Sequence, residues 1–491
     1  MQSLRCVRCS KLTKSERLDP SCEGCGGAVL FSGQPASFPT RAELDGSPAG
    51  VWRYRAFLPP VSLGQVVSLG EGGTPLLRSQ RLGKELGLRN LLIKDESRNP
   101  TGSFMDRGST VLLSLAKGRG VRECDCVTTG NLGASLAAYC AKAGVRAVIK
   151  VPPNVDRGKL YQMLAYGAEL DATPGRRDAG RHGEALSVSA SNPFILEGEK
   201  TTGFELAQEL GWKLPDVIVV PVGTGGHLTM IWRAIQELRA AGLAEGSCRL
   251  LGVRLGTPFI GRRGRGSGPG DGEGEPSPAE LESEPLFGAE AASSVSESGG
   301  RTVEVSPREM IEATGLLART EGIFAEPSGS SVVAAIERAI EEGFVGPTEM
   351  VVCVITGAGL KDTRSVTKLA REARKPEPAI PFGGAGPAMG RTKVELLRLL
   401  QDGPGYGYDL RAKLSADRVM STASVYQHLT ELEAAGMVRR RGTVTAKGRE
   451  RVFYEITGRG TALLALAGRL EELAGRGANP PSRRRVRGAF R

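Results

Sequence analysis

Between about residues 90 and 370 the chain alternates short apolar runs with helical patterns, and this alternation constrains its fold more than any other feature. The runs are Asn90-Leu-Leu-Ile-Lys94, Cys126-Val-Thr, Ala147-Val-Ile-Lys-Val151, Val217-Ile-Val-Val220, Leu250-Leu-Gly-Val253 and Met350-Val-Val-Cys-Val-Ile355. Strand, glycine-bearing turn and helix, repeated, make parallel βαβ units. The expected fold class is therefore α/β, with sites at the carboxyl ends of the strands. Residues 261–300 break the pattern with 10 Gly, 4 Pro and 7 Ser in 40 positions. That composition buries too little to order itself, so a disordered surface insert is expected there.

At 491 residues the chain asks for several domains. Its 40% hydrophobic and 24% charged residues exclude collagen-like, coiled-coil and wholly disordered chains. No run approaches the roughly 20 apolar residues of a membrane span, and the start lacks an apolar leader, so a cytoplasmic protein with no membrane partner is expected. The three histidines, His182, His227 and His428, are too scattered to suggest a histidine metal centre. The net charge of +11 is unevenly placed: residues 391–491 hold 20 basic and 10 acidic residues, which leaves residues 1–390 close to neutral. A basic module appended to a neutral body is the pattern of a nucleic-acid binder, with a solvated basic tail as the plainer alternative.

Four of the nine cysteines open the chain as Cys6-Val-Arg-Cys9 and Cys22-Glu-Gly-Cys25. Two such knuckles place four thiolates around Zn²⁺, so residues 1–30 read as a structural zinc ribbon with no open coordination position. A disulfide pair suits an oxidising compartment, and a redox motif needs only one knuckle. Cys124, Cys126, Cys140, Cys248 and Cys353 lie in apolar runs and read as core residues.

Three strand-to-helix turns carry hydrogen-bonding groups: Gly223-Thr224-Gly225-Gly226-His227, Thr129-Gly130-Asn131-Leu-Gly133, and Thr356-Gly357-Ala-Gly359-Leu-Lys361-Asp362. A fourth segment reads Asn99-Pro100-Thr101-Gly102-Ser103-Phe104-Met105-Asp106-Arg107. Glycines after a strand let backbone N–H groups and a helix N-terminus approach a phosphate, although turn-making alone accounts for any one of them. Together with Ser68-Leu-Gly-Glu-Gly-Gly-Thr74-Pro75, Glu197-Gly-Glu-Lys200 and Glu326-Pro-Ser328, these segments resemble the threonine synthases, within the fold-type-II, tryptophan synthase beta-like pyridoxal-phosphate enzymes. The resemblance covers residues 1 to about 374, so a body over 31–374 is expected to hold parallel sheets with helices.

The resemblance implies that Gly223, Thr224, Gly225, Gly226 and His227 hold the cofactor phosphate and that Asn131 bonds the pyridine hydroxyl. It also implies that Thr356 faces the ring nitrogen and that Thr129 and Gly130 hold the substrate carboxylate. The family pattern has lysine where this chain has Met105. That lysine carries the cofactor aldehyde and then moves protons, and a thioether does neither. Methionine fills the same channel at little packing cost. Lys94, Lys159, Lys200 and Lys361 sit where relatives also carry lysine, and none is an evident substitute. Ala358 departs from a common family histidine. Pyridoxal phosphate, if bound at all, is expected to be non-covalent.

A proline- and glycine-rich linker over 375–390 precedes a module at 391–475. Val425, Leu429 and Leu432 make one buried helical stripe, capped by Ser421 or Thr422 and ended by Gly436. The opposite face offers Ser424, Tyr426 and Gln427, and a hairpin with Arg439, Arg440 and Arg441 follows. The order resembles the PadR-like winged-helix transcription regulators, which bind DNA as two-fold dimers. Leu463, Leu466, Leu470 and Leu473 offer either a homodimer seam or packing on the module's own core. The basic tail at 476–491 adds charge for phosphates. Two functions are expected: a regulator sensing a phosphorylated or amino-acid ligand and binding DNA, or a threonine synthase with a surrogate amine and a regulatory winged helix. A protein-docking winged helix competes with the DNA reading.

Overall fold

The computed structural model describes residues 3–33, 37–128, 130–152, 155–171, 185–255, 286–365, 367, 391–414, 422–446 and 449–464. The chain divides into two units, Met1–Glu372 and Ala373–Arg491.

The first unit holds three sheets. A six-stranded sheet runs in the order Arg301–Val305, Arg249–Leu255, Val217–Pro221, Met350–Ile355, Asn90–Asp95 and Leu76–Arg78. All neighbours are parallel except the last pair. A second, wholly parallel sheet runs Glu169–Asp171, Arg146–Lys150, Glu123–Val127 and Leu186–Val188. The third, antiparallel, is formed by Ser3–Cys6, Leu12–Lys14 and Val29–Phe31. Each of the six apolar runs read from the sequence is a strand. Within the six- and four-stranded sheets, the four strands without such a signal, Leu76–Arg78, Glu169–Asp171, Leu186–Val188 and Arg301–Val305, are all edges. An edge strand is short and keeps polar side chains on its open side, which dilutes the apolar run.

Val217–Pro221 is buried at every position because helices cover both faces of its sheet. Val217 and Val219 pack with Val332 and Ile336 on one face, while Ile218 and Val220 pack with Leu228 and Trp232 on the other. Each such side chain contributes roughly 1.5–3 kcal/mol. Helix boundaries follow local chemistry. Ser306 and Glu309 form a capping box ahead of Pro307, and left-handed Gly322 ends the Pro307–Glu321 helix.

The expected insert over 261–300 is corrected at its carboxyl end. Gly288–Glu297 is a helix that buries Ala291, Ser294 and Val295, and Phe287 is fully buried against Leu30, Leu196 and Met230. The apolar residues Phe287, Ala291 and Val295 recur at helical spacing and decide this against the serine-rich composition. The rest of that insert, residues 261–285, lies outside the described residues.

At the centre of the unit Arg107 is wholly buried. Its Nε and Nη2 donate to both oxygens of Glu96 at 2.6 and 2.7 Å, and Nη1 and Nη2 to Glu205 at 2.9 and 2.7 Å. Lys94 adds a contact to Glu205 at 3.0 Å and one to Glu209 at 2.8 Å. Burial pushes the Glu205 carboxyl up, but the Arg107 and Lys94 charges outweigh it and hold it at about 2.

In the second unit the helices Arg391–Gln401, Gly407–Lys413 and Thr422–Ala434 precede an antiparallel hairpin of Val438–Ala446 and Arg449–Ile456. Val425, Leu429 and Leu432 are buried with Leu397, Leu410 and Tyr454. Gly436, at φ 67°, closes the third helix. Leu463 packs on this same core, which favours self-packing over a seam at that position, while Leu466, Leu470 and Leu473 lie outside the described residues. Among the described residues no helix is long and apolar enough to cross a membrane.

Removing one partner of the Arg107 network leaves a buried uncompensated charge, so Glu205→Ala is expected to destabilise the first unit by about 3–5 kcal/mol. Urea unfolding followed by tryptophan fluorescence measures it, and a loss below 1 kcal/mol contradicts the role assigned to the network.

Candidate functional site

Strand order brings three of the four expected site segments, all but the one carrying Asn131, to one end of the six-stranded sheet. Val217–Pro221 and Met350–Ile355 are neighbours, as are Met350–Ile355 and Asn90–Asp95, so the turns after these three strands lie side by side. The turn carrying Met105 is tied to the turn carrying Thr356. Ser103 bridges Gly357, and the Phe104 N–H donates to the Thr356 carbonyl at 3.1 Å. Met105 is the first residue of the Met105–Gly118 helix, half-buried against the core of the four-stranded sheet. The two residues after it cannot move freely. Asp106 accepts from the Thr101 N–H and hydroxyl and from Ser135, and Arg107 enters the ionic core.

The glycine turn is a second wall. Gly225 has φ 87°, and a Cβ there would lie 2.8 Å from the Phe287 carbonyl oxygen. A Cβ on Gly226 would lie 2.5 Å from Leu196 Cδ2. Only glycine allows this close backing. Thr224 accepts from the Gly226 N–H at 3.3 Å through its hydroxyl and from the Phe287 N–H at 2.7 Å through its carbonyl. The Gly226–Ala240 helix has Gly225 as its N-cap and so no N-cap side-chain bond; beyond the Gly226 N–H held by Thr224, the positive end of its dipole lies at this turn. His227 has a different place from the one its motif suggests. Its ring is buried, stacks on Phe104 at 4.2 Å and meets the Thr202 hydroxyl at 3.1 Å. Burial lowers it to about 3, so the imidazole is neutral and brings no charge to a phosphate.

The third wall belongs to the four-stranded sheet. Asn131 opens the Asn131–Ala143 helix, and its Nδ2 donates to Glu326 Oε1 at 2.7 Å. Glu326, the N-cap of the Pro327–Glu341 helix, also donates its backbone N–H to the Gly357 carbonyl at 3.0 Å. One buried carboxylate thus joins Asn131 to the turn that carries Thr356. Lys159 Nζ lies 3.5 Å from the other oxygen of Glu326. Lys361 Nζ donates to the Thr101 carbonyl at 2.7 Å, and burial lowers this amine to about 8. Thr129 lies outside the described residues. Glu326, Phe104 and Phe287 carry no role in the sequence reading. The Leu286-Phe287 pair, an apolar island in a polar segment, is the one signal that pointed to any of them.

These residues fit pyridoxal phosphate: glycine-backed donors at a helix start for the phosphate, an amide for the hydroxyl, a buried hydroxyl at Thr356 for the ring nitrogen. At Met105 they offer no amine.

Two further sites stand apart. Cys6, Cys9, Cys22 and Cys25 place their sulfurs within 4.8 Å of one another. Neighbouring sulfurs are 3.5–3.6 Å apart. Tetrahedral coordination at about 2.3 Å separates sulfurs by about 3.8 Å, so the cluster could hold a metal ion. In the second unit Gln427 is exposed and bonds Glu431 at 3.2 Å. Ser424 is half-buried on the same helix. Tyr426 is a correction: its ring lies where a Cβ on Gly407 would meet it at 2.4 Å, so it packs between two helices instead of lying on the open face. The exposed Arg439 and Arg441 pair with Glu455, and the exposed Arg440 with Glu433, both carboxylates half-buried.

The profile of the pyridoxal-phosphate dependent enzymes matches residues 67–357, and that of the PadR-like transcriptional regulators matches residues 396–466. A threonine synthase of Methanocaldococcus jannaschii is 35% identical over 390 residues, covering 76% of this chain and 96% of that protein. One from Methanosarcina acetivorans is 34% identical over 394 residues, covering 76% and 95%. One from Synechocystis is 35% identical over 321 residues, covering 63% and 82%.

Gly225→Ala must push the turn off Phe287, and its binding of pyridoxal phosphate is expected to weaken at least about tenfold, the equivalent of 1.4 kcal/mol. Equilibrium dialysis measures this, and unchanged affinity contradicts the assignment of the turn as the phosphate cradle.

Proposed function

Because the chain belongs to the pyridoxal-phosphate dependent enzymes, as a homologue of threonine synthases that carries a PadR-like domain, we propose that it is a ligand-sensing, DNA-binding transcription regulator and not a catalyst. The observation that carries this reading is Met105, held at the start of its helix by its neighbours Asp106 and Arg107, at the position where the family pattern has lysine. When bound, pyridoxal phosphate supplies an aldehyde and an electron-withdrawing ring. In this reading Gly223 to Gly226 hold the phosphate, Asn131 the hydroxyl and Thr356 the ring nitrogen, while Thr129 and Gly130 receive the carboxylate of an amino-acid ligand. The family cycle stops because no amine at residue 105 moves protons.

In the winged helix, Ser424 and Gln427 suit base edges, and Arg439, Arg440 and Arg441 suit phosphates. Their ion pairs to Glu455 and Glu433 are exposed and worth at most about 1 kcal/mol each, so DNA phosphates can displace them. Two-fold operators call for a homodimer, and the four cysteines hold a structural Zn²⁺. The two buried amines Lys159 and Lys361 favour the second reading, a threonine synthase acting on O-phosphohomoserine with a surrogate amine.

Phosphate release from O-phosphohomoserine by the full chain is expected at background level, and Met105→Lys is expected to raise it; wild-type turnover favours the second reading. Arg439→Ala with Arg441→Ala is expected to weaken duplex binding and to lower its log–log salt slope by about 2. An unchanged slope in a mobility-shift titration points to protein docking. Elemental analysis is expected to find one zinc per wild-type chain and to find it lost in Cys22→Ser; a wild type without zinc contradicts the assignment of the four cysteines.

A further inference from the structure

Four lysines sit where relatives also carry lysine, and the structure separates them as sources of the amine that Met105 cannot supply. Lys94 Nζ donates to the Thr74 carbonyl at 2.6 Å and to Glu209 at 2.8 Å inside the ionic core. Lys200 Nζ contacts Glu197 at 2.5 Å, the Phe57 carbonyl at 3.0 Å and Glu237. Both amines are engaged by buried carboxylates. Lys361 Nζ is turned toward the Thr101 carbonyl and the Gln162 side chain, at 2.7 and 3.1 Å, beneath the turn that leads to Met105.

Lys159 is placed differently. It lies on the Arg157–Ala165 helix, and its methylenes cross Gly130 so closely that a Cβ there would lie 2.1 Å from Lys159 Cδ. Its Nζ and the Asn131 amide share one carboxylate, Glu326, at 3.5 and 2.7 Å. On the pyridine ring the hydroxyl and the aldehyde sit on adjacent carbons. A residue that holds the hydroxyl and an amine that meets the aldehyde must therefore be neighbours, and Asn131 and Lys159 are.

We propose that Lys159 captures the aldehyde of pyridoxal phosphate in this chain, with Glu326 as the group that takes its proton. The inference rests on the cofactor occupying the cradle described above. The Lys159 ammonium passes one proton to Glu326 Oε2, and the freed lone pair forms a bond to the aldehyde carbon. The carbonyl oxygen then leaves as water with the nitrogen's two remaining hydrogens, giving a carbon–nitrogen double bond. No oxidant or reductant takes part. The amine approaches from the Arg157–Ala165 helix and not from residue 105, so capture holds the cofactor without an amine at the position that moves protons in the family.

The test treats the full chain with one equivalent of pyridoxal phosphate, reduces it with borohydride and maps the adduct by mass spectrometry. The expected result is a pyridoxyl group on the peptide carrying Lys159, lost at least tenfold in Lys159→Arg and in Lys159→Met and retained in Lys361→Met. Met105→Lys is expected to draw part of the adduct to residue 105. Circular dichroism and equilibrium dialysis on the same variants keep folding and non-covalent binding apart from capture. An adduct on Lys361 or another lysine, or reversible binding with no adduct, overturns the proposal while leaving the cofactor reading intact. No binding of pyridoxal phosphate at all overturns both.

Discussion

Everything near the cleft depends on one buried guanidinium. Arg107 meets Glu96 and Glu205 with paired hydrogen bonds and touches Thr74 and Thr201 at 3.1 and 3.0 Å, so it joins four separate segments of the first unit. A buried charge of this kind is stable only while every partner is present, which gives the core one acceptable arrangement. Arg107 stands two residues after Met105, in the first turn of the same helix. The position from which a family lysine would act is thus held by a group that has no part in the chemistry. The exchange to methionine leaves that anchorage untouched.

The cleft is a meeting of two sheets, and Glu326 is the link between them. It caps a helix of the six-stranded side, while its carboxylate serves Asn131 and faces Lys159 on the other. Asp156, the N-cap of the helix that carries Lys159, makes a comparable contact when it accepts from the Thr363 N–H at 3.1 Å. A ligand binding between such walls can alter how they are held without any covalent chemistry, which is the physical requirement for a sensor. Phe287 supports the same cleft from behind, where it closes the glycine turn.

The second unit has the opposite electrostatic style. Its arginines are exposed and paired to single carboxylates, so their attachments are weak and exchangeable. Its core of leucines, with Tyr426 packed on Gly407, holds the third helix.

The amino-acid sequence by itself determined the central strands, the four-cysteine knuckles, the three glycine turns, the buried stripe of the third winged helix and the missing lysine. Each of these is a local pattern: an apolar run, a spacing, or a residue type at a motif position. It could not reveal the edge strands, the packing role of Tyr426 or the neutral, buried state of His227, and the helical spacing within the serine-rich stretch at 288–297 was outweighed by its composition. The first three depend on what lies opposite in space. Only the tertiary structure decided which lysine stands beside Asn131, because Asn131, Lys159 and Glu326 are far apart in sequence and meet only when two sheets close on one carboxylate. Burial and the sharing of a charge are properties of that closure, and no local pattern encodes them.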